Sequence, residues 1–159
     1  MIRTEISLFL KNSPGELGKV SSLLSEAGIN IDALMIQDAS AYVQELFKAR
    51  GKSLKRIASV SNYSLMKRDS ADFALIRLLP DKPVEAAELL GKNEYLFDTV
   101  EVMSVELENS PGALAEITDR FGQENININY IYGSVLSPDS KCLFVFAPED
   151  ILRASKLFK

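Results

Sequence analysis

The sequence predicts an α+β fold in which one small unit is written twice, each copy an antiparallel sheet with its helices on one face. Three observations carry that expectation. The hexapeptide "NSPGEL" at 12–17 returns as "NSPGAL" at 109–114. Around it, 6–34 and 103–131 align at an offset of 97 with ten identities: Ser7, Leu10, Asn12, Ser13, Pro14, Gly15, Leu17, Ile29, Asn30 and Ile31 with their counterparts. Both copies also pass through the same succession of hydrophobic periods, two, then helical, then two again. Such self-similarity marks an internal duplication.

The elements follow in order. Ile6, Leu8 and Leu10 alternate with Ser7 and Phe9, and Met103, Val105 and Leu107 alternate with Ser104 and Glu106, so each copy opens on a half-buried strand. Past the hexapeptide, Leu17, Val20, Leu24 and Ala27 share a helical face, as do Leu114, Ile117 and Phe121. Gly28 and Asn125 stand at matching positions, and both residue types accept the left-handed conformation that ends helices. "INIDALMI" and "NININYIYG" then read as second strands, rich in β-branched and aromatic side chains. "FALIRLL" (73–79) and "CLFVFA" (142–147) read as third strands. Pro83 and Pro148 are placed in the first turns of closing helices over 84–90 and 149–158. Each copy is thus β-α-β-β-α, the first five elements of a ferredoxin-like unit.

Neither copy has a clear fourth strand of its own. A first strand without a fourth beside it would be an open edge. The expected solution is that segments 2–10 and 98–108 lie side by side, giving one six-stranded antiparallel sheet. The copies also differ in length. The offset falls from 97 at the hexapeptide to 65 at the two prolines, an insertion of 32 residues between about Ser40 and Ser70. That insert carries Lys48, Arg50, Lys52, Lys55, Arg56, Lys67 and Arg68 against Glu45 and Asp69, a net +5 in a chain whose total is −4. Its apolar residues predict helix. The expected domains are therefore 1–97, holding a basic helical insert at about 40–70, and 98–159.

Composition excludes several functions. With no histidine, the chain can build no histidine-based triad or histidine metal site. A single cysteine, Cys142, excludes an internal disulfide framework and fits a cytoplasmic protein. No apolar run reaches the ~18 residues of a membrane span. The net charge of −4 argues against nucleic acid as the partner of the whole chain. No catalytic residue, metal or cofactor is expected.

The hexapeptide admits two readings. In the first it starts a helix, with Ser13 as N-cap, Pro14 as first helical residue and Glu16 completing a capping box. Ser110 and Pro111 keep those roles, but Ala113 replaces the glutamate. In the second reading it holds an anion. Glycine inside a helix gives up ~0.5–1 kcal/mol relative to alanine, and it recurs at Gly15 and Gly112. A missing side chain lets a carboxylate approach the unpaired amides of the first helical turn. Asn12 and Asn109 stand beside that turn, and Asn30 and Asn127, opening the second strands, are expected near the same loop.

A strand ending in N-x-P-G-x-L, a helix, and then G-I-N-I resembles the ACT domain, and the match occurs twice, over most of 1–40 and 72–159. The resemblance implies a tandem ACT protein that binds a free amino acid and regulates amino-acid metabolism without being an enzyme. Carried over by position, the ligand-binding residues are Asn12, Ser13, Pro14, Gly15, Glu16 and Leu17 with Asn30 and Ile31, and Asn109, Ser110, Pro111, Gly112, Ala113 and Leu114 with Asn127 and Ile128. A homodimer and a partner enzyme are expected as well. The alternative is a ligand-free docking subunit that uses the basic insert for a partner or nucleic acid.

Other features read as structural. "RGKSLKR" (50–56) lacks the earlier glycine and leading strand of a phosphate loop. Cys142 alternates into a core. Glu106 and Glu108 share a solvated strand face. Tyr130 and Tyr132 share a face too, with packing as their expected role.

Overall fold

A computed structural model describes residues 1–39, 73–134 and 141–158. The basic insert and most of the short turn after 134 lie outside the described residues. The elements are β1 (Ile2–Lys11), α1 (Glu16–Glu26), β2 (Ile31–Asp38), β3 (Phe73–Pro80), α2 (Pro83–Lys92), β4 (Phe97–Glu108), α3 (Ala113–Gln123), β5 (Ile128–Ser134), β6 (Lys141–Pro148) and α4 (Ile151–Ser155), the last running into a 3-10 turn at Lys156–Phe158. The strands hydrogen-bond in the order β2-β3-β1-β4-β6-β5. By contacts the chain falls into an N-terminal unit, Ile6–Thr99, and a C-terminal unit, Val100–Lys159 joined by Met1–Glu5.

In the N-terminal unit the even positions of β1 do what alternation requires. Ile6, Leu8 and Leu10 sit on Leu78, Ile76 and Ala74 of β3 in an antiparallel ladder. With Val20 and Leu24 of α1 and Ala86 and Leu90 of α2, the first two and their β3 neighbours form a core at 0 % exposure. Both helices thus cover one face, and each large aliphatic side chain taken from water contributes about 1.5–3 kcal/mol. α1 ends as expected. Gly28 is left-handed at φ 67, and Ile29 donates back to the Leu24 carbonyl at 3.0 Å, closing a Schellman turn.

The C-terminal unit repeats the plan with larger side chains. Met103 and Leu107 of β4, Phe146 of β6, Ile117 and Phe121 of α3 and Ala154 of α4 form its core. The Phe121 ring stacks on Phe146 at 5.5 Å and tilts against Phe158 at 5.9 Å. Asn125, at φ 53, ends α3 as Gly28 ends α1, with Ile126 donating to Phe121 at 2.9 Å. Gly133 faces Phe144 across the β5–β6 ladder, and a Cβ there would collide with the ring. Gly133→Ala is expected to cost about 1–3 kcal/mol by overpacking, read as a lower urea midpoint. A loss below ~0.5 kcal/mol would show that the ring swings aside freely.

The missing fourth strand is supplied as expected. β4 begins at Phe97 rather than near 103, and β1 is its neighbour. Within the C-terminal unit the Met1 ammonium donates to the Ser104 carbonyl at 2.8 Å, and the Ser104 amide donates to the Met1 carbonyl at 2.9 Å. One alignment needs correction. Pro83 does open α2, but Pro148 ends β6, and α4 starts at Ile151 with Asp150 as its cap, the carboxylate accepting from the Arg153 amide at 2.9 Å. Register shows why. Ile31 pairs with Pro80 and Ile128 with Pro148, so Pro80 is the true counterpart of Pro148 and the offset there is 68, not 65.

Candidate functional site

Both hexapeptides form one and the same turn. Glu16 donates its amide to the Ser13 carbonyl at 3.3 Å, and Ala113 donates to Ser110 at 3.2 Å. Between each pair lie proline and then glycine, with Gly15 at φ 91, ψ −16 and Gly112 at φ 95, ψ −19. Proline at the second position and a left-handed third residue define a type II turn. Each glycine carbonyl then takes the first helical bond, from Lys19 at 3.0 Å and from Glu116 at 2.9 Å, so each glycine is its helix's N-cap.

The capping-box expectation is therefore corrected. The helices start at Glu16 and Ala113, two residues later than serine capping requires, and no side chain caps either one. Glu16 turns instead to Lys19, its Oε1 accepting at 2.6 Å. That bond first, and the Glu16 charge second, hold the Lys19 ammonium above its usual pKa. The glycines are required by positive φ, where a side chain strains the backbone by about 1–3 kcal/mol.

The turn nonetheless leaves an accessible donor set. A Cβ built on Gly15 or Gly112 would meet no atom within 4 Å. Among the described residues no acceptor takes the amides of Leu17 and Gly18, or of Leu114 and Ala115. These two amides per helix, at the positive end of the dipole, form an anion cradle. Sequence reasoning included Leu17 and Leu114 but missed Gly18 and Ala115, which contribute backbone and carry no chemical signature. The two cradles differ in charge. The first has the Glu16 carboxylate on its opening residue, offset by Lys19, whereas the second has Ala113 there and its Glu116–Arg120 pair, at 2.6 Å, one turn further on.

The asparagines opening the second strands lie elsewhere. Lys11, next to the first hexapeptide, pairs with Phe73 at the start of β3, while Ile31 pairs with Pro80 at its end. Eight residues of β3 separate them, roughly 23 Å of strand. The C-terminal unit repeats this, with Glu108 on Lys141 and Ile128 on Pro148. Within each unit, Asn30 with Ile31 and Asn127 with Ile128 are thus at the opposite end from the hexapeptide. They have structural work there. The Asn30 carbonyl accepts the Asp81 amide at 3.0 Å, and the Asn127 carbonyl accepts the Glu149 amide at 2.9 Å, fixing the turn that follows the third strand. An open groove of about 370 Å³ in the N-terminal unit also lies at this end, lined by Ile29, Lys82, Glu85, Glu88, Leu89 and Lys92. Its Lys82 is bonded to the Gly28 carbonyl at 2.7 Å, the part of a helix C-cap.

A third constellation was not foreseen. Glu5 is 0 % exposed, and its two oxygens accept the hydroxyls of Tyr130 at 2.6 Å and Tyr132 at 2.7 Å. The shared face of the tyrosines was legible, but the buried acid that joins them was not. Cys142 is buried, as expected. No cluster of three or more metal-ligating side chains occurs among the described residues, and none of their helices is long and apolar enough to cross a membrane.

A family model described as an ACT domain pair matches residues 49–158, more than half of the chain. Among solved structures, protein BT0572 from Bacteroides thetaiotaomicron is similar over 99% of this chain and 86% of that one, at 22% identity and a TM-score of 0.72. The ligand-free regulatory subunit of aspartate kinase from Thermus thermophilus is similar over 100% and 96%, at 16% identity and a TM-score of 0.53. At these identities the likeness is one of fold. No curated protein matches the sequence.

Proposed function

The chain belongs to the ACT domain pair family, and from that premise we propose that it is a regulatory protein, not an enzyme, that senses a free amino acid. The observation that carries this reading is the pair of open turns with two unclaimed amides behind each glycine. The ligand carboxylate sits on the amides of Leu17 and Gly18 or of Leu114 and Ala115, and Asn12 or Asn109 is available to the ammonium group. Segments 1–97 and 98–159 carry one such loop each. The second loop binds more tightly, because Ala113 leaves the dipole unopposed where Glu16 adds negative charge to the first. In this reading the chain acts in the cytoplasm as a homodimer, and an enzyme partner reads its ligand-dependent state.

A thermal-shift screen of the twenty amino acids tests the proposal. An amino acid present at ~100 times its dissociation constant stabilises the folded state by ~2.7 kcal/mol, a rise of several degrees. If none of the twenty shifts the transition, the docking alternative, resting on the +5 charge of 40–70, takes its place.

A further inference from the structure

β1 runs unbroken from Ile2 to Lys11, yet its first residues cluster with the C-terminal unit and Ile6 onward with the N-terminal unit. Glu5 and Ile6 are consecutive, and both are 0 % exposed. Six residues beyond Ile6 the chain enters the first hexapeptide at Asn12. We propose that Glu5, with Tyr130 and Tyr132, is a lock through which β1 reports the state of the Asn12–Leu17 loop to β5. This assignment rests on the amino-acid-binding reading of that loop.

The physics of the lock is local to the C-terminal unit. A carboxylate removed from water is tolerated only while its oxygens accept hydrogen bonds, and those to a charged acceptor are the strong ones. Here each oxygen takes one phenol. β4 and β6 stand between β1 and β5 in the sheet, so both phenols cross two strands to reach Glu5. They pass where side chains are small, at Ala147 and Ser104, which are 4% and 8% exposed. The start of β1 is pinned a second time by the reciprocal Met1–Ser104 bonds. A strand held by discrete hydrogen bonds cannot creep along its axis. It stays in register, or it breaks the Glu5 contacts and frees the β5 tyrosines, which is the two-state element a signal requires.

A double-mutant cycle tests the lock without any ligand. Gly15→Ala strains the loop, Glu5→Gln removes the charge and deprives one phenol of its acceptor, and unfolding equilibrium constants are measured for the wild type, both single variants and the double. Positions this far apart with no shared partner are ordinarily additive, so the lock predicts a departure of about threefold or more from the product of the single effects. An additive result overturns it. Should Glu5→Gln fail to fold, Tyr130→Phe/Tyr132→Phe replaces it in the same cycle.

Hydrogen exchange supplies the ligand-dependent arm. An amino acid that protects Leu17 and Gly18 should also change exchange across Tyr130–Ser134 in the wild type, and fail to do so in Tyr130→Phe/Tyr132→Phe. Loop protection with no change in β5 of the wild type, or a change that survives in the phenylalanine variant, overturns the lock and leaves the binding site standing. Protection by no amino acid overturns the binding site instead, and the cycle decides the lock by itself.

Discussion

Gly15→Asn/Gly112→Asn is expected to fold and to lose every amino-acid-induced thermal shift. The reasoning separates two demands on the same residue. Backbone geometry needs φ near +91 and +95 at these positions. Asparagine reaches the left-handed region at small cost, because its short polar side chain bonds locally. Valine does not, since a β-branched side chain at positive φ is a genuine outlier. Gly112→Val should therefore destabilise by about 1–3 kcal/mol, from strain alone, because no neighbouring atom lies within 4 Å of the new Cβ. The asparagine variant keeps the turn but sets a side chain over the amides that the carboxylate would use. Urea unfolding reads the first effect and the amino-acid thermal shift reads the second. A double asparagine variant that still responds to the ligand would place the binding site away from these turns.

Phe121→Ala is expected to cost about 3–5 kcal/mol, among the largest single losses available in the C-terminal unit. Phe121 is 1% exposed and its ring is the common neighbour of Phe146 and Phe158, stacked 19° from the first and tilted 53° to the second. Removing it opens a cavity under α3 and takes away the surface on which Phe158 of the 3-10 turn rests. The matching position in the N-terminal unit is Leu24, also wholly buried but aliphatic, where Leu24→Ala should cost about 2–5 kcal/mol. Both are read from urea unfolding. A Phe121→Ala loss under ~1 kcal/mol would mean that α3 and the 3-10 turn collapse into the vacated space.

What was legible follows from how local each signal is. Alternation in 6–10 and 103–107 identified β1 and β4 and the face each turns to its helices. Gly28 and Asn125 identified two helix ends, because a left-handed residue is a requirement of the end itself. The hexapeptide was correctly seen as a turn into a helix, but its glycine was assigned to the second helical position. The motif is ambiguous at that point. Ser-Pro-Gly satisfies both a serine cap and a type II turn, and the difference is one backbone torsion that residue names do not report. The placement of Asn30 beside Asn12 failed for another reason. Nearness in the motif was taken for nearness in space, although α1 carries the chain back along the sheet before β2 begins.

Read alone, the amino-acid sequence settled the duplication, the type and order of the elements, the faces that meet in each core and the two turns offering bare amides. All of these are written in runs of a few residues, where period and turn chemistry act. Only the tertiary structure decided that β1 takes β4 as its neighbour, that Glu5 is buried under two phenols 125 and 127 positions away, and that the two asparagine sets lie at opposite ends of each unit. Those outcomes depend on which distant backbone groups complete each other's hydrogen bonds, and on where an acid finds donors once water is excluded. Alternation specifies the face a side chain shares, whereas the partner on that face is chosen by the packing of the whole chain.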